Sequence, residues 1–558
     1  MTEQQTRSAL SGQTPRRRSE NQARRQARLV TVVLLVVAAA VAVWLLLDVF
    51  SGDVGGTASP SSFPASAGES TVATTTIPAP QPVAVPAESI GAPWGTTQGV
   101  TMFRGNPTRS WFGRGALAAT PQLRWSYPEG EMCSVSVDLG EESEWCGTGW
   151  TGQPLVWTNL EGTTELLFGG YDGAVHFVDA ATGEPTREPF PTGDLIKGFG
   201  AIDPDGYPLL YFGSRDNKFR IVALDREPVS QVWSMDAFDV DGLWNDDWDS
   251  SPAIVDGILY VGGENGWFYA IELNRTYGDQ GRVRVRPEVL FSAPTYDAEF
   301  LEMLNEGKPR PPAAELPRDG SGSDLDYDVE ISVENSPVFF RNRVYVANSA
   351  GRILGFDISD IREGRARVVF DYWAGGDIDG TMAVDSRGRL IVPIEFEPND
   401  KAGKPPMSEA EAAHQREVGQ LVKLDPYADG DPRLWGVDLT AGGENAGIWA
   451  SPVLYEGLVY VPTHTGELLA VSAANGEVVW RDSVGPKTWS SPVIVGDQLI
   501  QATFASGIRG YSLADPRHPE RLWTVELPES GEVESTPVVW EGTLYVGSRN
   551  GFFYAVGE

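Results

Sequence analysis

Residues Ala450 to Trp480 read ASPVLYEGLVYVPTHTGELLAVSAANGEVVW, and this stretch decides the fold. Its short apolar runs are separated by turn-forming residues at Glu456-Gly457, His464-Thr465-Gly466 and Ala474-Asn475-Gly476-Glu477. Short β-rich runs split by Gly and Asn turns predict a four-stranded antiparallel meander. One such sheet cannot bury both of its faces alone, so we expect the chain to repeat it.

The same pattern recurs along the chain. Clear copies are SSPAIVDGILYVGGENGWFYAIEL from Ser250, NSPVFFRNRVYVANSAGRILGFDI from Asn335, SSPVIVGDQLIQATFASGIRGYSL from Ser490 and STPVVWEGTLYVGSRNGFFYAV from Ser535, and weaker copies begin at Gly152, Gly198 and Gly380. Together they make about eight units of roughly 40–45 residues, which is the size of a propeller blade. The chain therefore predicts an all-β, eight-bladed β-propeller.

The two ends of the repeat array complement each other. The last unit stops after three strands, at Glu558, whereas Leu123 to Tyr127 forms an isolated strand-like run ahead of the first unit. We predict that this N-terminal run completes the last blade and closes the ring, because closure removes open sheet edges.

The repeat S-P-x-V-x-x-G-x-x-Y-V-G-x-x-x-G-x-x-Y-A-[LIV]-x-x-x-x-G-x-x-x-W resembles that of the PQQ-type, or quinoprotein-like, β-propeller family. The lead-in MFRGNP, Met102 to Pro107, also resembles the segment that precedes the first blade in that family. The family includes quinoprotein alcohol dehydrogenases and non-enzymatic members such as outer-membrane assembly lipoprotein propellers. The resemblance therefore implies a fold and leaves the function open.

The N-terminal part of the chain predicts a membrane anchor. Residues 1–28 carry seven Arg against two Glu, and residues 29–47 form an uncharged apolar run of 19 residues. About 20 such residues span a bilayer, and an Arg-rich flank stays in the cytoplasm. We expect a basic cytoplasmic tail (1–28), one uncleaved transmembrane helix (29–47), a disordered Ser/Thr/Pro/Ala-rich stalk (48–96) and a propeller outside the plasma membrane (97–558). A cleaved signal peptide is the alternative.

The charge of the chain excludes one class of partner. The formal net charge is −34, and the basic tail leaves about −39 for the remainder. Such a surface repels nucleic acid and anionic lipid, and it attracts cations or a basic partner. The plain alternative is that the charge serves solubility.

Cys133 and Cys146 are the only cysteines in the chain. Thiols oxidise outside the membrane, so we predict a disulfide between them. Two free thiols are the alternative. Because no histidines cluster with this pair, we do not expect a thiolate metal site.

Two insertions interrupt the repeats, at Ser292–Glu334 and Pro398–Glu417, with short helices predicted at Asp297–Glu306 and after Ser408. The innermost strand of a blade comes first. The loop into it and the loop between strands two and three therefore share one face, here called the loop-rich face. Both insertions and the Cys133–Cys146 loop fall on this face. Long loops on a rigid scaffold carry function, so we expect the ligand there. Neutral loop growth is the alternative.

Residues three positions before each inner-strand proline should converge at the channel mouth on the loop-rich face. The charged or aromatic ones are Asp249, Glu334, Asp379, Glu534, Trp449 and Trp489, with Lys197 and Lys487 as nearby counter-charges. Converging carboxylates raise one another's pKa or recruit a cation, and Ca²⁺ suits Asp249, Glu334 and Asp379. The Trp pair suits a flat or cationic ligand. The alternative is a water-filled funnel that binds nothing.

The resemblance does not by itself imply the quinone cofactor. Quinoprotein dehydrogenases usually carry adjacent cysteines whose disulfide packs on the quinone, and this chain has none. We therefore expect no catalytic residue and no required cofactor. The predicted function is a binding or scaffolding module at the cell surface, whose ligand is an extracytoplasmic protein, a cell-wall glycan or a small cationic molecule. The alternative is a PQQ- and Ca²⁺-dependent alcohol dehydrogenase.

Overall fold

This computed structural model describes residues 83–138, 141–150, 152–240, 242–243, 247–304, 331–397, 407–443, 446–505, 507–528 and 531–558. Eight sheets of four or five strands follow one another along this part of the chain, with consecutive strands as neighbours. The predicted all-β, eight-bladed propeller is confirmed, and its blades are numbered 1 to 8 in chain order.

The strands of the first four blades are given from the axis outward. They are Leu155–Thr158, Thr164–Gly169, Ala174–Asp179 and Phe190–Pro191 in blade 1; Ala201–Ile202, Leu209–Gly213, Lys218–Ala223 and Ser230–Asp236 in blade 2; Ala253–Val255, Ile258–Gly262, Trp267–Glu272 and Glu288–Pro294 in blade 3; and Val338–Phe340, Arg343–Ala347, Arg352–Asp357 and Arg367–Trp373 in blade 4. Gly99–Val100 adds an inner strand to blade 1, and Thr276–Tyr277 pairs with Val283–Arg284 outside the blades.

The other four blades follow the same order. Their strands are Ala383–Val384, Leu390–Pro393, Leu421–Leu424 and Arg433–Val437 in blade 5; Val453–Tyr455, Leu458–Pro462, Glu467–Ser472 and Val478–Ser483 in blade 6; Val493–Val495, Gln498–Ala502, Gly507–Ser512 and Glu520–Glu526 in blade 7; and Val538–Trp540, Thr543–Gly547, Phe553–Gly557 and Gln122–Tyr127 in blade 8. Gly113–Arg114 runs parallel to the inner strand of blade 8, and Glu395–Phe396 pairs with Ala446–Gly447.

Burial explains why the inner strands read as continuous apolar runs. Every residue of Ile258–Gly262 is buried, whereas Glu520–Glu526, an outermost strand, alternates between buried and exposed positions in its second half. Inner strands are covered on both faces by neighbouring blades, so both sets of side chains are apolar. The stacked blades together form the core.

The predicted closure of the ring is confirmed. Gln122–Tyr127 pairs antiparallel with Phe553–Gly557 and supplies the outermost strand of blade 8. The Trp125 ring stacks on Phe553 with 6.2 Å between ring centroids. Blade 8 is therefore built from both ends of the described chain.

The propeller begins earlier in the chain than the predicted boundary at residue 97. Val83 and Val85 are buried, and Val85 exchanges backbone hydrogen bonds of 2.8 Å with Arg341. Residues 83–96, which the sequence assigned to the stalk, therefore pack on the propeller, because their apolar side chains find cover there. The predicted tail, transmembrane helix and remaining stalk, residues 1–82, lie outside the described residues. No helix in the described part is long and apolar enough to cross a membrane.

The face opposite the loop-rich face, here called the turn face, carries two-residue turns. Asp256-Gly257, Glu456-Gly457 and Glu541-Gly542 all have positive φ at both positions. Such turns match the twist of the strands they join and leave no room for a long loop. Arg341, which meets Val85, lies in the equivalent turn of blade 4.

The loop-rich face carries three elements outside the repeat. Helix α1 (Ala298–Leu304) and helix α2 (Glu409–Val418) confirm the two predicted helices, and the Ser408 hydroxyl caps α2 by accepting from the Glu411 amide at 3.1 Å. Cys133–Asp138 and Glu141–Cys146 form a two-stranded hairpin whose ends are joined by the predicted disulfide.

Two buried arginines fill the centre of the ring. Arg109 donates to the carbonyls of Pro337 at 2.9 Å and Ser251 at 3.0 Å, which belong to the segments leading into the inner strands of blades 4 and 3. The Arg104 amide donates to the Gln153 side chain, which in turn donates to Pro537 of blade 8. Residues 102–109 therefore tie the inner strands together.

A candidate ligand-binding site at the loop-rich face

Each predicted site residue lies where the chain enters an inner strand at the loop-rich face. The acids of blades 3, 4 and 5 are neighbours in the ring, and the tryptophans belong to blades 6 and 7. Asp249, Asp379, Glu534 and Trp449 are buried, while Glu334 and Trp489 are half-buried. The acids therefore form one arc of the channel mouth and the aromatic residues the next.

Blade 3 holds a carboxylate cluster that is neutralised by two basic side chains. Asp247, Asp249 and Glu264, here called the blade 3 trio, place one oxygen each within 4.8 Å of one another. The Lys197 ammonium lies 3.5, 3.2 and 3.8 Å from them in that order, and Arg215 lies 2.9 Å from Asp247. Burial acts to lower the pKa of Lys197, but Asp249 and Glu264 outweigh it and hold the pKa well above its usual value.

Glu334 of blade 4 lies between two acidic groups. The Ser332 hydroxyl donates to its carboxylate at 3.0 Å. Burial raises the pKa of Glu334 well above its usual value, and the Asp379 and Asp249 carboxylates raise it further. The three residues predicted to bind Ca²⁺ are thus neighbours, although Asp249 and Asp379 belong to separate clusters.

Blade 5 holds the second cluster, Asp377, Asp379 and Glu395, here called the blade 5 trio. One oxygen from each lies within 4.8 Å of the others. Burial raises the pKa of both Asp377 and Glu395 well above the usual range, and the Asp379 carboxylate raises both further. These carboxyls either share protons or require a cation.

The aromatic arc is built around His464. The Trp449 ring lies 3.9 Å from the His464 ring, and the Trp489 indole donates to His464 Nδ1 at 2.8 Å. The Lys487 ammonium lies over the Trp489 ring at 4.4 Å, and Trp150 packs on Trp489 at 6.2 Å. Lys487, predicted as a counter-charge, therefore covers an aromatic face that a ligand would otherwise contact.

Glu534 of blade 8 links the mouth to the disulfide hairpin. Arg549 donates to both Glu534 oxygens at 3.1 Å, and its guanidinium lies 5.0 Å from the Trp145 ring and 4.9 Å from the Tyr171 ring. Burial raises the pKa of Glu534, while Arg549 opposes that rise. The hairpin is thereby coupled to the channel mouth through Arg549.

A second ring of residues, which the sequence analysis missed, completes the mouth. Each member lies two residues after the second strand of its blade: Tyr171, Arg215, Glu264, Ser349, Glu395, His464, Phe504 and Arg549. The repeat alignment that located the first ring, the residues three positions before each inner-strand proline, contains this position as well. The sequence placed the loop between strands two and three on this face, but it did not show which residue of that loop contacts the inner-strand position.

Comparisons with known proteins agree with the repeat assignment. A family profile described as "Outer membrane protein assembly factor BamB" matches residues 417–556. The beta-alanine-activating enzyme of Danio rerio is 28% identical over 103 residues, which are 18% of this chain and 9% of that protein. The chain thus spans less than a tenth of that curated relative's length.

Solved structures are similar to this chain at low sequence identity. Quinohemoprotein alcohol dehydrogenase ADHIIG from Pseudomonas putida HK5 has a TM-score of 0.50 at 12% identity, over 86% of this chain and 83% of that chain. The quinohemoprotein alcohol dehydrogenase from Comamonas testosteroni has a TM-score of 0.49 at 14% identity, covering 85% and 83%. BamB from Moraxella catarrhalis has 0.37 at 10%, covering 78% and 100%. The match over residues 417–556 and the eight blades agree with the PQQ-type repeat that the sequence resembles.

The residues at the mouth do not fit the quinone cofactor of that family. The cavity lined by Trp150, Asp379 and Trp449 measures about 10 Å³, which is room for one water molecule. PQQ is a tricarboxylate, and the buried acids beside this cavity would repel it. The Cys133–Cys146 disulfide lies in the hairpin beside blades 8 and 1.

Proposed function

We propose that this chain is a membrane-anchored binding or scaffolding protein whose loop-rich face engages an extracytoplasmic protein. The observation that carries this proposal is the placement of the elements outside the repeat: α1, α2 and the disulfide hairpin all rise from one face. The matching family description names a protein assembly factor, which supports a protein as the partner. A cell-wall ligand is the alternative occupant of the same face.

The disulfide hairpin offers the best-formed contact surface. Val135 and Val137 are 66% and 54% exposed, and alternation along the strand puts both on its outer side. They face Glu144 and Glu142 across the hairpin. Two exposed valines beside acidic residues suit a partner with an apolar contact rimmed by Lys or Arg.

The inner side of the hairpin is fixed to the propeller. The Ser134 hydroxyl donates to the Tyr171 carbonyl at 2.5 Å, and the Met132 amide donates to the Gly551 carbonyl at 3.0 Å. A contact surface held in place before binding loses little conformational entropy on association. The hairpin therefore serves as a pre-formed docking element.

The first described residues pack on the face opposite the loop-rich face. Val83 and Val85 are buried there, and Val85 lies beside Arg341. We propose that residues 29–47 anchor the chain, with residues 1–28 in the cytoplasm and the propeller outside. Carbonate extraction and protease accessibility of intact cells test this: extraction of the chain by carbonate would contradict the anchor.

Site-specific photo-cross-linking tests the docking face. A benzophenone amino acid replaces Val137 in one variant and Asp497, on the turn face, in a matched control, and cross-linked proteins from the producing cells are identified. The identified protein is then purified, and its affinity for wild type and for Val135→Glu/Val137→Glu is measured. We expect cross-links from position 137 only and binding weakened on the order of tenfold. Equal cross-linking from both faces would contradict the proposal.

The dehydrogenase alternative has its own test. The purified chain is titrated with PQQ in the presence of Ca²⁺, followed by quinone absorbance, beside Asp379→Asn. We expect no saturable binding, because the mouth is acidic and narrow. Saturable binding lost in Asp379→Asn would restore the alternative and make screening of alcohols worthwhile.

A further inference from the structure

A larger cavity opens on the turn face, between blades 5 and 6. It measures about 360 Å³, which falls within the size range of small-molecule sites in proteins. The turn between strands one and two of blade 5 lines one side, and the equivalent turn of blade 6 lines the other. Ile90, from the N-terminal segment that packs on this face, completes the wall. The cavity is therefore separate from the channel mouth and from the disulfide hairpin.

Burial distinguishes the deep end of the cavity from its rim. Lys423 is 4% exposed, whereas Arg387 and Glu456 are exposed. The Lys423 ammonium lies 2.9 Å from Asp385 Oδ2 and donates to the Ala473 carbonyl of blade 6 at 2.9 Å. The charge of the buried lysine is thus satisfied within the protein, and its bonds join the two blades at the deep end.

The blade 5 turn fixes the backbone of Arg387 but leaves its guanidinium unpaired. The Asp385 carboxylate accepts from the amides of Arg387 at 2.9 Å and Arg389 at 3.0 Å. The Arg389 guanidinium is taken up by Asp425, whose Oδ2 lies 3.2 Å away. Within the described part of the chain, no carboxylate pairs with the Arg387 guanidinium. Arg387 is therefore free to bind an anionic group.

The blade 6 side of the cavity supplies an unpaired charge of the opposite sign. Glu456 lies in a two-residue turn, and its exposed carboxylate pairs with no Lys or Arg among the residues that the structure describes. Leu454, Tyr455 and Ile90 are half-buried and give the cavity an apolar wall. The cavity thus combines one free cation, one free carboxylate and apolar surface.

We propose that this cavity binds a short free peptide with apolar side chains, whose carboxylate end lies at Arg387 and whose ammonium end lies at Glu456. Charge-assisted hydrogen bonds of both kinds are strong, and the arginine fork matches a carboxylate. A simple anion would be repelled by Glu456 and a simple cation by Arg387, so a ligand with both charges fits best. The site does not rest on the proposed docking of a protein at the loop-rich face.

Calorimetric titration of the full chain, purified in a mild detergent, with leucyl-leucine tests this proposal. We expect one peptide per chain with a Kd of about 10⁻⁴ M, as befits a ligand of this size. Two blocked peptides test the two ends separately, since N-acetyl-leucyl-leucine lacks the ammonium and leucyl-leucine amide lacks the carboxylate. Each should bind the wild type on the order of tenfold more weakly than the free peptide.

Two single variants should each lose affinity for one end of the peptide only. Arg387→Gln should weaken binding of leucyl-leucine on the order of tenfold and leave the affinity for leucyl-leucine amide unchanged. Glu456→Gln should weaken binding of leucyl-leucine similarly and leave the affinity for N-acetyl-leucyl-leucine unchanged. Glu541→Gln, in the equivalent turn of blade 8, is the matched control and should bind like wild type.

The substituted side chains are exposed, so the fold should persist, which circular dichroism checks. Absence of saturable binding up to about 5 mM leucyl-leucine would overturn the proposal. An equal loss for the free peptide and its amide in Arg387→Gln would also overturn it, because the guanidinium would then not contact the carboxylate end.

Discussion

At the scale of single residues, the charge at the mouth of the channel depends on which side chains lie next to each carboxylate. Asp249 lies 3.2 Å from the Lys197 ammonium. For Asp377, Glu395 and Glu334, burial and neighbouring carboxylates raise the pKa instead.

Without divalent cations, the stability of the protein should fall as pH rises. The pKa values of Asp377, Glu395 and Glu334 are raised in the folded state above their values of about 4 in the unfolded chain. Their contribution is complete below the unfolded pKa and is lost as pH rises through the folded pKa. Thermal unfolding in EDTA from about pH 5 to 8 should therefore show a falling midpoint.

The variant Asp377→Asn/Glu395→Gln should flatten this pH dependence, because amides cannot ionise. Its midpoint should exceed that of the wild type at pH 8 in EDTA. Parallel pH profiles for the two proteins would show that these carboxyls do not control stability.

Arg109 should be among the most sensitive single positions. Burial lowers its pKa to about 9, and its guanidinium satisfies the carbonyls of Pro337 and Ser251 in the ring centre. Arg109→Leu leaves these acceptors without donors and should destabilise the protein by about 3 kcal/mol. Urea unfolding followed by tryptophan fluorescence measures this. Arg365→Gln, at an exposed arginine, is the control and should leave the urea midpoint unchanged.

At the scale of elements, the protein consists of a regular propeller and added elements. The turn face keeps two-residue turns between strands one and two and carries the small hairpin of residues 276–284, while α1, α2 and the disulfide hairpin extend the loops of the opposite face. The disulfide hairpin is fixed to the propeller by contacts such as the hydrogen bonds of Ser134 and Met132, but it adds no strand to any blade. We therefore expect it to open without opening the blades.

Removing the disulfide tests this independence. Cys133→Ser/Cys146→Ser should lower the local stability of the hairpin by about 3 kcal/mol, the value for a loop of this size. Amide exchange in residues 131–147 should then accelerate on the order of 100-fold, while exchange in blades 2 to 7 stays unchanged. Acceleration throughout the blades would mean that the hairpin stabilises the whole propeller.

At the scale of the whole molecule, the ring is held by one strand from the N-terminal part and by the arginine centre. The Trp125 strand joins Phe553–Gly557, so its loss exposes a sheet edge and also separates blade 8 from blade 1. An open edge pairs readily with another chain. Closure is thus a condition for a monomeric propeller.

Trp125→Pro should open the ring, because proline removes a ladder hydrogen bond and the stacked indole is lost. Trp480→Pro, at the same repeat position in blade 6, damages a blade but leaves the closing strand of blade 8 in place. Size-exclusion chromatography with light scattering should show dimers or larger species for Trp125→Pro and a monomer for Trp480→Pro. The same oligomeric state for both variants would show that ring closure does not control association of the protein.

Local pattern was sufficient to predict the elements of this protein. Turn residues and apolar runs determined the eight blades, the closing strand Leu123 to Tyr127, the disulfide and both helices, because each depends on neighbours in the chain or on the repeat itself. The packing of residues 83–96 was not predictable in this way. Their low-complexity composition is typical of a stalk, and only contact with the turn face buries Val83 and Val85.

In the candidate site, too, some features follow from the local sequence pattern and others only from the tertiary structure. The sequence by itself determined that acids and tryptophans line one mouth, because the repeat places equivalent residues in equivalent positions. Only the tertiary structure decided that Lys197 pairs with Asp249 and that Arg215 pairs with Asp247. Those partners come from an adjacent blade, and the free energy of a buried charge depends on what lies across the interface.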